Sequence, residues 1–341
     1  MSIRACFLAL TLVAGAALAD QRGAGVGVRR LATQVAGADV SLRVFFPSDD
    51  RSAATSFGPW RLPLVRNADL SAGIYPLVMI SHGLGGNDWS HHLLAQSLVK
   101  AGFIVVALRH PDDLLRVGTP AQSVLRPLEL TAGLDAVLSS PIFGASIDRQ
   151  RIGAFGFSLG GYTVQAAAVG RINSSLSAEH CSNNAQADPE FCVGEPGGVP
   201  MPIWLKLKRA VYRVSPVNLD QDLYDRRFKA LVLAAPVGLP FDDLSAVTVP
   251  VMLLRAGADM ALRFPYHAQR LHVLLLKPHR YEVIGGLHHY AFLSPFPDRI
   301  TEEVGPPARD PLGFDRKAFL DLINAEIVMF FRDRFAAVSG D

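Results

Sequence analysis

The sequence predicts an α/β fold built as a doubly wound, mostly parallel sheet, on three observations. Apolar runs and helix-forming runs alternate through the first half of the chain: strand Pro76–Ser81, helix Ser90–Lys100, strand Phe103–Leu108, helix Leu125–Leu138, then a strand ending at Phe157. Strand-helix-strand alternation with right-handed crossovers places helices on both faces of one sheet. Pro76-Leu77-Val78-Met79-Ile80-Ser81 is continuously apolar rather than alternating, as expected for a strand buried on both faces. Finally, Gly156-Phe157-Ser158-Leu159-Gly160 stands between an apolar strand and the helix-forming run Tyr162–Ala168. Glycines there allow a strained strand-to-helix turn, because a Cβ would clash with the flanking backbone.

The chain has 341 residues, half of them hydrophobic, with 19% charged and a net charge of +2. That length suits one α/β domain of about 250 to 300 residues. The near-neutral balance excludes a nucleic-acid surface, which requires clustered cations. Met1–Arg4 is positively charged, Ala5–Leu18 is nearly all apolar, and Ala17-Leu18-Ala19 offers small residues to a signal peptidase. Residues 1–19 therefore read as a signal peptide cleaved before Asp20, with residues 20–341 exported to the periplasm or secreted as a single domain. The alternative, a retained anchor, suffers from an apolar run too short to span a bilayer comfortably. Cys6 departs with this segment and leaves Cys181 and Cys192, an even pair in an exported chain. A disulfide closing so short a loop contributes about 3 kcal/mol in the loop-entropy view. A metal pair is the competing reading, but it lacks both Cys-x-x-Cys spacing and a histidine cluster.

Taken in order, Gly25–Arg30 and Asp39–Pro47 alternate like edge strands of an antiparallel hairpin, and residues 48–75, rich in Ser, Ala, Pro and Gly, read as a long surface loop. Residues 170–227 break the pattern and form an insertion after the serine helix. They hold both cysteines, the Gly/Pro-rich Glu195–Pro202 and an amphipathic run, Ile203–Arg213, which reads either as a cap over the site or as an ordinary packing helix. The sheet resumes with Lys229–Ala234, Pro250–Leu254 and Arg280–Ile284. A helix near Pro265–Leu276 precedes the last of these, and a helix over Arg316–Phe335 closes the chain.

A serine hydroxyl is a weak nucleophile until a histidine takes its proton, and a carboxylate must orient that histidine. Asp259 follows strand Pro250–Arg255, and His288-His289 follow strand Arg280–Ile284, so both fall at the sheet edge that carries Ser158. Asp242 and Asp243, after the preceding strand, are the alternative acid. The chain order Ser, Asp, His is that of an α/β-hydrolase triad. Backbone N–H groups of Leu84 and Leu159 are the expected oxyanion donors. Reading His82-Gly83-Leu84-Gly85-Gly86 as a phosphate loop fails for want of GxGxxG register and a following Lys-Ser/Thr.

On these motifs the chain resembles exported α/β hydrolases of the predicted dienelactone hydrolase group, related to platelet-activating-factor acetylhydrolase-like lipases and bacterial polyester hydrolases. The residues that carry the resemblance are Gly27-Val28-Arg29, Phe46-Pro47, Ser81–Gly86, Gly156–Gly161, the paired cysteines, and His289-Tyr290-Ala291-Phe292-Leu293-Ser294-Pro295. The resemblance implies His289, followed by an aromatic and then Phe, as the base; a second histidine at the preceding position departs from the family pattern and leaves His288 as the alternative. True dienelactone hydrolases use cysteine, and position 158 is serine, so the family label says little about the substrate; a serine triad with an exported address fits hydrolysis of carboxylic esters, short-acyl or lipid-like.

His91-His92 read as a solvated or capping pair. His110 reads as structural, or as lining the pocket. No His/Asp/Glu cluster has metal-ligand spacing in sequence, so neither metal nor cofactor is expected. Expected contacts are an ester substrate and, from the basic run at 203–213, a transient membrane surface; no protein partner is implied. An exported binding protein on a hydrolase fold is the non-enzyme alternative.

Overall fold

In a computed structural model, residues 25–111, 120–173, 175–193, 221–276 and 279–338 are described. The signal-peptide reading of residues 1–19 and the amphipathic run Ile203–Arg213 lie outside the described residues. The sheet has nine strands in the order β11-β10-β9-β8-β6-β7-β2-β1-β5. Strands β6 (Tyr75–Ser81), β7 (Ile104–Arg109), β8 (Ile147–Phe157), β9 (Phe228–Ala234), β10 (Val251–Ala256) and β11 (Arg280–Ile284) pair in parallel. On one side β1 (Gly25–Val35) and β2 (Ala38–Ser48) form the expected antiparallel hairpin. β2 is nevertheless an internal strand, paired with both β1 and β7, and the short β5 (Val65–Arg66) takes the edge.

Side chains alternate across each strand, so the two faces of the sheet feed separate cores. Leu77 and Met79 of β6 pack with α2 (Pro120–Leu138), α3 (Leu159–Val169) and later α6 (Ala268–Leu274). Val78 and Ile80 pack instead with α1 (His92–Lys100) and the final helix α7 (Arg316–Val338). Covering both faces explains why the strands carry continuous apolar runs.

Residues 48–75 are not one loop. A small hairpin forms from β3 (Ala54–Phe57) and β4 (Trp60–Pro63), followed by β5. Phe57, Leu62 and Leu64 are buried, and the Phe57 and Trp60 rings pack on Trp89 at 5.0 and 6.1 Å. Strands of two to four residues are too short to register as a period, and their Ser/Pro-rich composition masks them. The insertion opens with α4 (Ser175–Asn184) and α5 (Pro189–Val193), joined by a Cys181–Cys192 disulfide with Cα atoms 5.1 Å apart. Among the described residues, no helix is long and apolar enough to cross a membrane.

Candidate active site

Ser158 sits where β8 turns into α3, at φ 55° and ψ −118°, and it is partly exposed. A non-glycine residue held there stores on the order of 1–3 kcal/mol of strain. The surrounding glycines make the turn possible. A Cβ on Gly156 would lie 2.2 Å from the Gly160 carbonyl oxygen, and one on Gly160 would lie 2.0 Å from that of Ser81. The turn is tied to the neighbouring strand connection, since the Ser158 N–H donates to the Ala234 oxygen (2.9 Å) and the Ser158 oxygen accepts from Val237 N–H (3.1 Å).

His289 opens a short 3-10 turn after β11, and its two ring nitrogens face different partners. Nε2 lies 3.0 Å from Ser158 Oγ, and Nδ1 lies 2.8 Å from Asp259 Oδ2. Asp259 leaves β10, and its other oxygen accepts from the Ala261 and Leu262 N–H groups at 2.9 and 2.8 Å. The Phe157 ring backs His289 at 4.9 Å. The structure thus brings Ser158, His289 and Asp259 together in one hydrogen-bonded line. His288 points elsewhere, with Nε2 3.2 Å from Asp310 Oδ1 and its ring edge-on to Phe314. Asp242 accepts from Asn173 Nδ2 (3.0 Å) and Asp243 from Ser245 N–H (2.7 Å), so neither reaches the histidine.

Leu84 lies in the loop after β6. Gly83 beside it packs so closely that an added Cβ would come within 3.2 Å of Ser158 Cβ. This loop is held from beneath by buried polar groups whose partnership the sequence did not reveal. His82 Nδ1–H donates to the Gly83 oxygen (2.6 Å), and its Nε2 accepts from His110 N–H (3.1 Å). Both bonds require a neutral imidazole, and burial, followed by the charges of Arg126 and Arg109, pushes His82 down to about 3. Arg126 donates to the His82 oxygen and to Thr163 Oγ1 (3.1 Å). His110 bridges Ser81 Oγ and Glu129 Oε2 at 2.8 Å each and is almost wholly buried, which makes it structural rather than a pocket wall. Arg126 and Glu129, three apart on an apolar helix face, were the signal available in the sequence.

His91 and His92 are buried, and the His91 side chain makes no capping bond to α1, which overturns the solvated or capping reading. His91 Nδ1 lies 3.1 Å from the Phe292 oxygen, while its ring packs edge-on against Phe155 and Phe157. Burial, reinforced by neighbouring His82, pushes His91 down to about 3, and burial pushes His92 to about 4. Nearby, Ser294 Oγ accepts from Leu93 N–H and the Ser294 N–H donates to the Ser90 oxygen, so α1 and the His289 turn are anchored to one another.

Among the described residues one group has metal-ligand proximity: donor atoms of His180, Asp188 and Cys192 lie within 4.8 Å of one another. The Cys192 sulfur is bonded to Cys181, so no thiolate is on offer there. Asp188 is already engaged by two imidazoles, His180 (3.1 Å) and His267 (2.8 Å).

Residues 32–124 match the family described as platelet-activating factor acetylhydrolase, isoform II. The match covers the loop Ser81–Gly86 and ends before Ser158. A comparison with curated proteins finds no match. The matched segment and the doubly wound sheet agree on a fold of the α/β-hydrolase type, and over residues 32–124 the chain is similar to the platelet-activating factor acetylhydrolases, a similarity that supports a hydrolase of the lipase/esterase kind.

Proposed function

We propose that the chain is an exported serine hydrolase of carboxylic esters, working through an acyl-enzyme. The observation that carries this reading is the line from Asp259 through His289 to Ser158 Oγ, at 2.8 and 3.0 Å, with the serine on a strained turn. In the proposed reaction His289 Nε2 takes the Ser158 proton as Oγ attacks the ester carbonyl. Asp259 keeps the second proton on Nδ1 and stabilises the imidazolium. The N–H groups of Leu84 and Leu159 receive the oxyanion; Leu159 is the first residue of α3, where helix N–H groups have no intrahelical partner. Imidazolium then protonates the departing alcohol. Water, deprotonated by the same histidine, releases the acid and restores Ser158.

The family matched by residues 32–124 is named for acetyl-ester hydrolysis of a lipid mediator, which favours short acyl groups and lipid-like alcohols as the substrates to try first. The test is turnover of p-nitrophenyl esters from acetate to palmitate by the purified protein and by Ser158→Ala. We expect turnover of the short esters and a loss of at least about a thousandfold in the variant. If the parent turns over no member, the enzyme reading fails and the binding-protein alternative moves ahead.

A further inference from the structure

The described part of the insertion reaches the segment that carries Asp259. Asp188, just before α5, is fully buried, and its carboxylate reaches across to the segment that leaves β10. Oδ2 accepts from His180 Nε2 of α4 at 3.1 Å and from His267 Nε2 at 2.8 Å, while Oδ1 accepts from the Arg263 N–H at 3.3 Å. His267 Nδ1 in turn accepts from Gly238 N–H (3.4 Å), which fixes the neutral tautomer with its proton toward Asp188. Burial pushes His267 down in the same sense. Asp188 is the charged partner: burial alone would raise it, but the bonds from His267, Arg263 N–H and His180 outweigh that and hold it below the usual carboxylate range.

The arrangement divides three consecutive amides between two carboxylates. Ala261 and Leu262 donate to Asp259, and Arg263 donates to Asp188. Four residues later His267 returns to the same Asp188, immediately before α6. Residues 259–267 contain no helix or strand, so the hydrogen bonds to these two carboxylates do much to set their path. Ring contacts reinforce the junction, with Phe191 on His267 at 4.8 Å and Tyr266 on His180 at 4.6 Å.

We infer that Asp188 is a positioning residue for the proposed reaction: it clamps residues 259–267 onto the insertion so that Asp259 stays aimed at His289. The inference rests on the triad reading above. A displacement of about 1 Å in a catalytic group costs on the order of a hundredfold in rate, so a carboxylate that never meets substrate can still control turnover.

The experiment compares Asp188→Asn with the parent in kcat and KM for p-nitrophenyl acetate and in the downfield proton resonance of His289 Nδ1–H, assigned by its loss in His289→Gln. We expect kcat to fall by roughly ten- to a hundredfold with KM changed by less than about twofold, and the His289 line to shift or broaden. A folded variant with the parent's kcat and an unmoved line overturns the proposal. Should Asp188→Asn fail to fold, the loop side decides. His267→Gln can still donate to Asp188 and accept from Gly238, whereas His267→Leu can do neither, so Leu should lose at least about tenfold more kcat than Gln; equal values overturn the proposal. If the parent hydrolyses nothing, the functional reading fails separately, and the His289 line still reports whether Asp188 holds Asp259.

Discussion

At the scale of single residues, this site depends on backbone positions where a side chain is either strained or impossible. Ser158 carries a positive φ so that its hydroxyl projects from the turn toward His289. Gly160 lets the start of α3 touch the strand that delivers the neighbouring loop, with 2.0 Å separating a hypothetical Cβ from the Ser81 oxygen and 2.7 Å from that of His82. Both neighbours are main-chain atoms and cannot swing aside. Gly160→Ala should therefore shift the two loops apart, costing about 2–4 kcal/mol in urea unfolding and at least about tenfold in ester turnover. Unchanged values for both would show that the elbow has slack that its geometry denies. Gly156, Ser158 and Gly160 were recognisable in the sequence because the glycine requirement is local. The neutral states of His82 and His91 were not, since they depend on burial and on partners far along the chain.

At the scale of elements, the disulfide and the buried Asp188 fasten different things. Cys181–Cys192 links α4 to α5 within the insertion, while Asp188 links the insertion to the segment before α6. Replacing both cysteines by serine should lower stability by about 3 kcal/mol, the loop-entropy value for a separation of 11 residues. Because Asp188 and its three donors remain, kcat should change less than in Asp188→Asn. Urea midpoints with and without reductant, alongside ester turnover, check this; equal midpoints would show that the bridge constrains nothing outside its own loop. The pairing was legible from an even cysteine count in a chain expected to be exported. The β3–β4 hairpin was not, because its strands are too short for a period and its order comes from packing on Trp89.

At the scale of the whole molecule, several histidines stay neutral inside the fold. His82 and His91 are pushed down to about 3 and His92 to about 4, each mainly by burial, against an ordinary value of 6.5. Below about pH 6.5 the unfolded chain takes up protons that the folded chain refuses, so stability is held above that pH and is lost as pH falls toward 4. The slope is about 1.4 kcal/mol per pH unit for each histidine, which makes the loss on the order of 4 kcal/mol by pH 5.5. Urea midpoints at pH 7.5 and 5.5 measure it, and coincident midpoints would mean that these rings gain protons without unfolding.

The sequence by itself determined the alternation of elements, the doubly wound sheet and the placing of Ser158, Asp259 and His289 at ends of strands, because each of these is written in local periodicity and in glycine's freedom of backbone. Tertiary structure decided which of two adjacent histidines faces the serine, which aspartate faces that histidine, and what supports each loop. Those outcomes depend on distances between residues far apart in the chain, 131 positions between His289 and Ser158 and 201 between Leu93 and Ser294. They depend equally on desolvation, which no residue possesses until the chain around it has folded.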